Sequence, residues 1–250
     1  MLGLEGKTIA VSGAGSGIGL SVVEHLAKAG AQPILLDLNA DNLFAASKAL
    51  SVKGKPYPSY VCDVASSESV IDVFGRIATD VGPLHGAVAS AGVRNFGHTL
   101  DITAADWRKV IDINLNGVFY FCREAARACV EANGGSIVSI SSVAGFSGIP
   151  QRINYCAAKA GVVNMTKVMA IELAPNNVRV NSVAPGATWT ALAEQNTPEQ
   201  RQAMIARTPL GRYADVREIS NVVLFLLSDL SSYVTGETIV ADGGWSAALM

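Results

Sequence analysis

The sequence has little charge and few metal-binding side chains. Charged residues make up 16% of its 250 residues, and 19 Lys and Arg are balanced by 21 Asp and Glu. A formal net charge of −2 excludes the basic surface expected of a nucleic-acid-binding protein. The three histidines are scattered, with no H-E-x-x-H or similar spacing. The sequence therefore predicts neither a metal site nor a nucleic-acid partner.

Cysteine and long hydrophobic runs are also scarce. Cys62, Cys122, Cys129 and Cys156 form no C-x-x-C pair and lie in apolar stretches, which predicts buried thiols in a reducing compartment. No uncharged apolar run approaches the roughly 18 residues that span a bilayer. The N-terminus lacks the basic, apolar and small-residue regions of a signal peptide. We therefore expect a cytoplasmic protein with no membrane partner.

Hydrophobic residues are abundant, at 50% of the chain, which predicts a large buried core. Short apolar runs alternate with longer amphipathic ones, a pattern typical of βαβ units and a parallel sheet. The predicted strands are 7–12, 32–37, 58–62, 84–90, 136–141, 178–184 and 237–241. The predicted helices are about 17–29, 41–51, 66–80, 103–131, 152–174 and 215–228. No linker or repeat interrupts the pattern, so we expect one α/β domain over residues 1–250.

The least periodic segment lies near the C-terminus. Residues 185–213 are rich in Pro, Gly and Thr around one short helical stretch. Irregular segments of this length inside a compact domain are commonly functional. The segment predicts a mobile flap over a substrate site.

A glycine-rich segment follows the first predicted strand. Gly13, Gly15, Gly17 and Gly19 alternate as G-x-G-x-G-x-G, which departs from the common fingerprint G-x-G-x-x-G. Gly13 permits a tight turn off the strand, and the later glycines let a helix N-terminus approach a pyrophosphate. The segment predicts a dinucleotide site, although a flexible turn explains the glycines alone equally well.

An acidic residue ends the second predicted strand. Asp37 follows the glycines at the spacing, about twenty residues, of a carboxylate that binds the adenosine ribose 2′-OH. Such a carboxylate repels a 2′-phosphate, and neither Leu38 nor Ser16 supplies the Arg or Lys that a 2′-phosphate needs. The sequence therefore predicts NAD(H) and not NADP(H).

A candidate acid–base pair lies in the predicted helix over 152–174. Tyr155 and Lys159 are four residues apart and so share a helix face. A nearby ammonium lowers the pKa of a phenol, which makes Tyr155 a candidate general base for an alcohol or acid for a ketone. Ser142 ends the preceding strand and is a candidate to hold the substrate oxygen. Ser141 is the alternative, because neighbouring strand residues point to opposite faces.

Together these motifs resemble the short-chain dehydrogenase/reductase family. SGAGSGIG resembles the T-G-x-x-x-G-x-G loop of that family, with Ser12 in place of Thr, and Tyr155 and Lys159 resemble its Y-x-x-x-K pair. Residues 209–244 also follow its C-terminal consensus, so the resemblance covers essentially the whole chain. It implies a single-domain, Rossmann-type, doubly wound parallel sheet of about seven strands flanked by helices. It also implies a homotetramer formed through the two longest helices.

The resemblance assigns roles to further residues. It implies a helix kink and a proton-relay water at Asn114, for which Asn116 is the alternative, and an adenine contact at Asp63. Two positions depart from the family pattern: Ser90 lies in ASAG where N-N-A-G is usual, and Thr188 replaces Val or Ile. The implied catalytic residues are Asn114, Ser142, Tyr155 and Lys159. The implied cofactor residues are Ser12, Gly13, Gly15, Ser16, Gly17, Ile18, Gly19, Asp37, Leu38, Asp63, Val64, Ser90, Ala91, Gly92, Tyr155, Lys159, Pro185, Gly186, Thr188 and Thr190.

The predicted activity is hydride transfer between NAD(H) and a secondary alcohol or its ketone, with Tyr155 as general acid/base, and sugars, polyols and small secondary alcohols are all open as substrates. One alternative is a 3-oxoacyl-(acyl carrier protein) reductase using NADPH, which the sequence also resembles. Another is a non-catalytic nucleotide-binding protein on the same fold. The candidate substrate-pocket residues are Arg94, Phe96, Phe146, Ile149, Arg152 and Trp189. Arg94 or Arg152 is a candidate for pairing with a substrate carboxylate, and a solvated or intersubunit arginine is the alternative.

Overall fold

Seven parallel strands form the centre of the structure. The computed structural model describes residues 2–50, 55–194 and 196–248. The strands are β1 (Thr8–Ser12), β2 (Gln32–Asp37), β3 (Ser59–Val61), β4 (Gly86–Ala89), β5 (Gly135–Ile140), β6 (Val178–Pro185) and β7 (Thr238–Ala241). They pair in parallel in the order β3-β2-β1-β4-β5-β6-β7. The predicted parallel α/β sheet is confirmed.

Helices connect the strands along the chain. They are α1 (Gly17–Lys28), α2 (Ala40–Ala49), α3 (Ser67–Asp80), α4 (Ala104–Ile111), α5 (Gly117–Glu131), α6 (Ile153–Leu173), α7 (Ala191–Glu194), α8 (Pro198–Ala206) and α9 (Val216–Leu227). The helix predicted over 41–51 ends at Ala49, and residue 51 lies outside the described residues. Within the described ranges, no helix is both long and apolar enough to cross a membrane.

Polar residues fix where several helices begin. The Ser66 side chain accepts a hydrogen bond from the backbone N–H of Ser69, and the Thr103 side chain accepts one from that of Asp106. Asp215 caps α9 in the same way, forming a reciprocal capping box with Glu218. Each cap satisfies a backbone donor that has no partner inside its helix.

Alternate strand residues pack into two cores on opposite faces of the sheet. Ala10, Ile34 and Leu36 belong to the core formed with α3, α5 and α6. Ile9 and Leu35 belong to the core formed with α1, α2 and α9. Helices on both faces explain why the strands are apolar throughout, since both sides of each strand are buried. This doubly wound arrangement was expected from the resemblance and is present.

The helix predicted over 103–131 is interrupted. Residues Asp112–Asn116 form one turn of π-helix between α4 and α5. A π turn contains one more residue per hydrogen-bonded turn than an α-helix, and such turns are frequently found at functional sites. The interruption lies at Asn114, where a kink was expected.

The strand order determines where a ligand can bind. The connections after β1 run to β2 on one side of the sheet, whereas β4 lies on the other side of β1. At such a switch point the loops beyond the carboxyl ends of the strands diverge and leave a crevice. The glycine segment that follows β1 lies at this crevice.

Candidate active site

Close backbone packing explains the glycine loop. Gly13 has a φ of +67°, and a Cβ there would lie 2.9 Å from the Ala91 backbone. A Cβ on Gly19 would collide with the Gly13 carbonyl oxygen. The Ser12 hydroxyl accepts hydrogen bonds from the backbone N–H groups of Ser90 (3.1 Å) and Ala91 (3.3 Å). The loop is thereby fixed to the end of β4, and the N-terminus of α1 faces the crevice.

Asp37 is held in a defined orientation at the end of β2. Its Oδ2 accepts a hydrogen bond from the backbone N–H of Gly15 at 2.9 Å, and its Oδ1 accepts one from that of Asn39 at 2.9 Å. Asp63, beyond β3, accepts one from the backbone N–H of Ala65 at 2.9 Å. Both carboxylates line the same cavity. Their lone pairs that remain suit the hydroxyl and amino donors of an adenosine.

Ser142 and Tyr155 meet at the opposite end of the cavity. The Ser142 side chain hydrogen-bonds the Tyr155 phenol. The Ser141 hydroxyl instead donates to the Lys159 carbonyl at 3.0 Å and is buried. Alternation along the strand end therefore directs Ser142, and not Ser141, to the phenol.

Lys159 is buried beside Tyr155. Its Nζ donates a hydrogen bond to the Ile140 carbonyl at 2.7 Å and lies 5.7 Å from the centre of the Tyr155 ring. Its exposed fraction is 4%, and this burial lowers the pKa of Lys159 to about 8. The side chain is thus anchored to the end of β5 and directed at the phenol.

The lowered pKa of Lys159 predicts a pH-dependent stability. Between pH 8 and 10.5 Lys159 holds a proton in the unfolded chain that it has lost in the folded one, so the contribution of this residue to the free energy of unfolding rises with pH in this window. Relative to the variant Lys159→Met, the native chain should gain up to about 3 kcal/mol across it. Urea unfolding at pH 7, 8, 9 and 10 measures this. A difference between the two proteins that stays constant with pH would contradict the lowered pKa.

The charges that act on Tyr155 differ from the sequence-based expectation. Burial raises the pKa of Tyr155, while the hydrogen bond from Ser142 and the positive charges of Arg94 and Arg152 lower it. The prediction named the ammonium of Lys159 as the lowering charge. In the structure, two arginines supply this effect, and it is smaller than that of burial.

Asn114 links the π turn to the loop after β4. Its Oδ1 accepts a hydrogen bond from the backbone N–H of Val93 at 3.0 Å, and its Nδ2 donates one to the Val93 carbonyl at 2.8 Å. Asn116 instead donates to Asp112 at 2.9 Å. A Cβ on Gly92 would lie 2.7 Å from Asn114 Oδ1, so this loop packs directly on the amide. Asn114 therefore matches the expected position better than Asn116.

The segment 185–213 lines the cavity next to Tyr155. It contains the end of β6, α7 and α8, and residue 195 lies outside the described residues. Thr188 donates to the Gly186 carbonyl at 3.3 Å, and Thr190 lies close to Gly17 of the glycine loop. The segment predicted as a flap therefore spans from the glycine loop to the catalytic side chains.

The predicted cofactor residues divide into two groups. Ser12, Gly15 and Gly19 do not line the cavity, and their contacts with Ser90, Asp37 and Gly13 shape the glycine loop. The others line one cavity of about 570 Å³: Gly13, Ser16, Gly17, Ile18, Asp37, Leu38, Asp63, Val64, Ser90, Ala91, Gly92, Tyr155, Lys159, Pro185, Gly186, Thr188 and Thr190. Asn114 and Ser142 also line it. These residues fit a dinucleotide. The carboxylates of Asp37 and Asp63 lie at one end of the cavity and Tyr155 at the other, and the glycine loop at the N-terminus of α1 lies between them.

The predicted substrate residues are brought together only in part. Arg94, Ile149 and Arg152 line the cavity. Phe96 does not, and its ring lies against both arginines instead. Phe146 is 53% exposed outside the cavity, and Trp189 packs edge-on against Tyr213.

Several cavity residues were not predicted from the sequence. Met204, Arg207, Thr208 and Tyr213 come from the flap segment, whose irregular pattern gave no register for individual side chains. Trp245 comes from the tail beyond β7, and Arg207 lies over its ring at 5.5 Å. No signal in the sequence pointed to Trp245, since the tail has neither periodicity nor a motif.

Comparisons with known proteins extend over nearly the whole chain. A family model described as Enoyl-(Acyl carrier protein) reductase matches residues 13–246. The 3-oxoacyl-(acyl-carrier-protein) reductase FabG of Thermotoga maritima is 40% identical over 242 residues, covering 96% of this chain and 98% of that protein. The 2-(S)-hydroxypropyl-CoM dehydrogenase 3 of Xanthobacter autotrophicus is 34% identical over 250 residues, covering 98% of each. The crystal structure of gox2181 superposes with a TM-score of 0.95 at 36% identity, covering 99% of this chain and 98% of that one.

Proposed function

Because the chain belongs to the short-chain dehydrogenase/reductase family and is an oxidoreductase, we propose that it transfers hydride between NAD(H) and a small secondary alcohol or its ketone. The observation that carries this proposal is one cavity with Ser142, Tyr155 and Lys159 at one end and Asp37 at the other. A non-catalytic nucleotide-binding role is disfavoured, since all three catalytic side chains are present and in contact or close to one another.

The proposed reaction divides the work between cofactor and protein. When bound, the nicotinamide ring supplies the hydride acceptor for oxidation or the donor for reduction. Ser142 holds the substrate oxygen beside the Tyr155 phenol, to which it is hydrogen-bonded. In oxidation, ionised Tyr155 accepts the hydroxyl proton as the carbinol carbon loses hydride, and the product is a ketone. The two arginines favour the ionised phenol, Lys159 lies beside its ring, and Asn114 holds the loop after β4.

Asp37 supports NAD(H) as the cofactor. Two backbone N–H groups fix its carboxylate at the cavity wall, where it can accept from a ribose hydroxyl and would repel a 2′-phosphate. Among the described residues that line this end of the cavity, none is Lys or Arg. The residue after Asp37 is Leu38, which is 65% exposed and supplies no positive charge for a 2′-phosphate.

We expect Asp37→Ala to reduce the preference for NAD⁺ over NADP⁺ at least about tenfold, because a charged hydrogen-bond acceptor and a repulsive charge are both removed. The kcat/KM values with the two cofactors at one alcohol concentration measure it. Asp41→Ala, an exposed substitution in the first turn of α2, is the control. An unchanged preference would mean that selectivity comes from other residues.

A 3-oxoacyl-(acyl carrier protein) reductase using NADPH is the second candidate function. The relative from Thermotoga maritima, with 40% identity, favours it. It requires a cation for the 2′-phosphate and a basic surface for an acidic carrier protein, whereas the formal net charge of this chain is −2.

A nicotinamide-absorbance screen separates the two functions. Secondary alcohols, polyols and hydroxy acids are assayed with NAD⁺ and NADP⁺, and a 3-oxoacyl carrier-protein thioester is assayed with NADH and NADPH. Faster reduction of NAD⁺ by free alcohols supports the proposed function. Turnover confined to the thioester with NADPH would support the second candidate.

We also propose a cytoplasmic homotetramer in which 185–213 acts as a flap within a single domain. Exposed apolar side chains on α5 and α6 support the assembly: Phe119 is 41% exposed, Val168 47% and Ile171 76%. Burying such a patch in an interface removes apolar surface from water. The mass in solution, measured by light scattering, tests the oligomeric state.

A further inference from the structure

Two arginines form one wall of the cavity beside Tyr155. Arg152 occupies the N-cap position of α6, one turn before Tyr155, and Arg94 lies in the loop that follows β4. The Gly97 backbone N–H donates to the Gln151 carbonyl at 3.0 Å, so the loop that carries Arg94 pairs with the segment that carries Arg152. This backbone pairing brings two distant parts of the sequence to one side of the cavity.

The Phe96 ring holds the two guanidinium groups in place. The Arg94 guanidinium carbon lies 5.4 Å from the centre of this ring, and that of Arg152 lies 4.8 Å from it. Stacking on an aromatic face restricts an arginine without using its hydrogen-bond donors in the ring plane. Phe96 therefore serves as a support for the arginines and not as a wall of the cavity.

This end of the cavity carries two cations, and the carboxylates that line the cavity lie at its other end. Asp37 and Asp63 are the only carboxylates among the described residues that line the cavity. They follow β2 and β3, and β2 lies three strands from β5 and Ser142, which is about 14 Å. Arg152 makes no ion pair within the part of the chain that the structure describes. Burial and the charge of Arg152 lower the pKa of Arg94, so the two cations oppose each other.

We propose that the substrate is a short hydroxycarboxylate or the corresponding oxocarboxylate, bound through its carboxylate by Arg152 together with Arg94. This inference rests on the proposed function and adds the substrate class to it. A carboxylate matches the two-pronged donor geometry of a guanidinium and offsets the repulsion between the two arginines. The substrate hydroxyl then lies at Ser142 and Tyr155, one helical turn from Arg152. The cavity of about 570 Å³ must also take the dinucleotide, which favours a short substrate.

The first test compares acids with their neutral esters. NAD⁺ reduction is measured with 3-hydroxybutyrate, lactate and the methyl ester of each. We expect at least one acid to exceed its ester at least about 30-fold in kcat/KM, since charge-assisted hydrogen bonds are lost in the ester. Arg152→Gln should lower kcat/KM for the acid by about the same factor, mainly through KM. For the ester, kcat/KM should fall at least about tenfold less than for the acid, because only the effect of Arg152 on the Tyr155 phenol is then lost. Arg76→Gln, on the distant helix α3, is the control and should change neither.

The second test measures binding without turnover. Sodium butyrate and butyramide are compared, at equal ionic strength, for their effect on the Tm of the protein with NADH. We expect butyrate alone to raise the Tm, and Arg152→Gln to remove this effect.

The two tests distinguish failure of the substrate class from failure of the proposed function. Equal turnover of acids and esters, with no effect of butyrate, would overturn the carboxylate site and leave the dehydrogenase activity standing. Stabilisation by butyrate that depends on Arg152, without turnover of any alcohol, would support the carboxylate site and count against the proposed activity. Loss of acid and ester turnover to the same degree in Arg152→Gln would overturn the carboxylate site, since the arginine would then act through the Tyr155 phenol or through the fold.

Discussion

Replacing Tyr155 with Phe is expected to lower kcat at least about 1,000-fold while changing the Kd for NADH less than about threefold. The substitution removes the phenol oxygen that hydrogen-bonds Ser142 and keeps the ring beside Lys159. Loss of a positioned general acid or base typically costs about 10²- to 10⁴-fold in rate. Stopped-flow or steady-state absorbance at the best substrate gives kcat, and NADH fluorescence gives the Kd.

Tyr60→Phe provides the matched control for this substitution. It removes a phenol oxygen that donates a hydrogen bond to Asp80 at 3.1 Å, and neither residue lines the cavity. We expect its kcat to remain within about twofold of the native value. If Tyr155→Phe kept a tenth or more of the native kcat, Tyr155 would not be the residue that transfers the proton.

Replacing Gly19 with Ala is expected to lower the free energy of unfolding by about 3 kcal/mol and to weaken NADH binding at least about tenfold. The added Cβ would collide with the Gly13 carbonyl oxygen, and neither backbone can yield without moving the start of α1. The glycine loop that faces the crevice would move together with the start of α1. The backbone N–H groups that this loop offers to a pyrophosphate would then be displaced. Urea unfolding and NADH titration measure the two effects.

Gly75→Ala is the control, because Gly75 is also a helical glycine. A Cβ there meets nothing within 4 Å, and alanine is favoured over glycine inside a helix. This variant should be more stable than the native chain by about 1 kcal/mol, with unchanged NADH binding. Similar destabilisation in both variants would show that the close approach at Gly19 is not what requires glycine there.

The sheet was predictable because its pattern is strong and repeated. Each strand is a short apolar run buried on both faces, and each is followed by an amphipathic helix, so the parallel order follows from general rules. The boundaries differ by only a few residues, as at β1, which begins at Thr8 and not at residue 7. The family resemblance then added the doubly wound order, which the composition alone does not specify.

The cavity was predictable near the motifs and less so elsewhere. Asp37 and Tyr155 lie at strand ends and helix starts, where position along the chain determines position in space. Phe96 was predicted to line the cavity because it is apolar and close to Arg94 in sequence, yet it supports two arginines from outside. Trp245 reaches the cavity from a tail whose path depends on tertiary contacts. Side chains on irregular segments have no periodicity from which their direction can be inferred.

The π turn at Asp112–Asn116 fixes the rotational phase of the helices on either side of it. An α-helix turns about 100° per residue, so the additional residue offsets the outward direction of every side chain that follows. α4 thereby packs on α6, while α5 presents its apolar stripe to α3 and the sheet. Deletion of one residue from this turn would restore a regular helix and rotate Phe121 and Cys129 out of the core. Loss of a single residue from this turn would therefore disturb the packing of the core more than most substitutions within the turn.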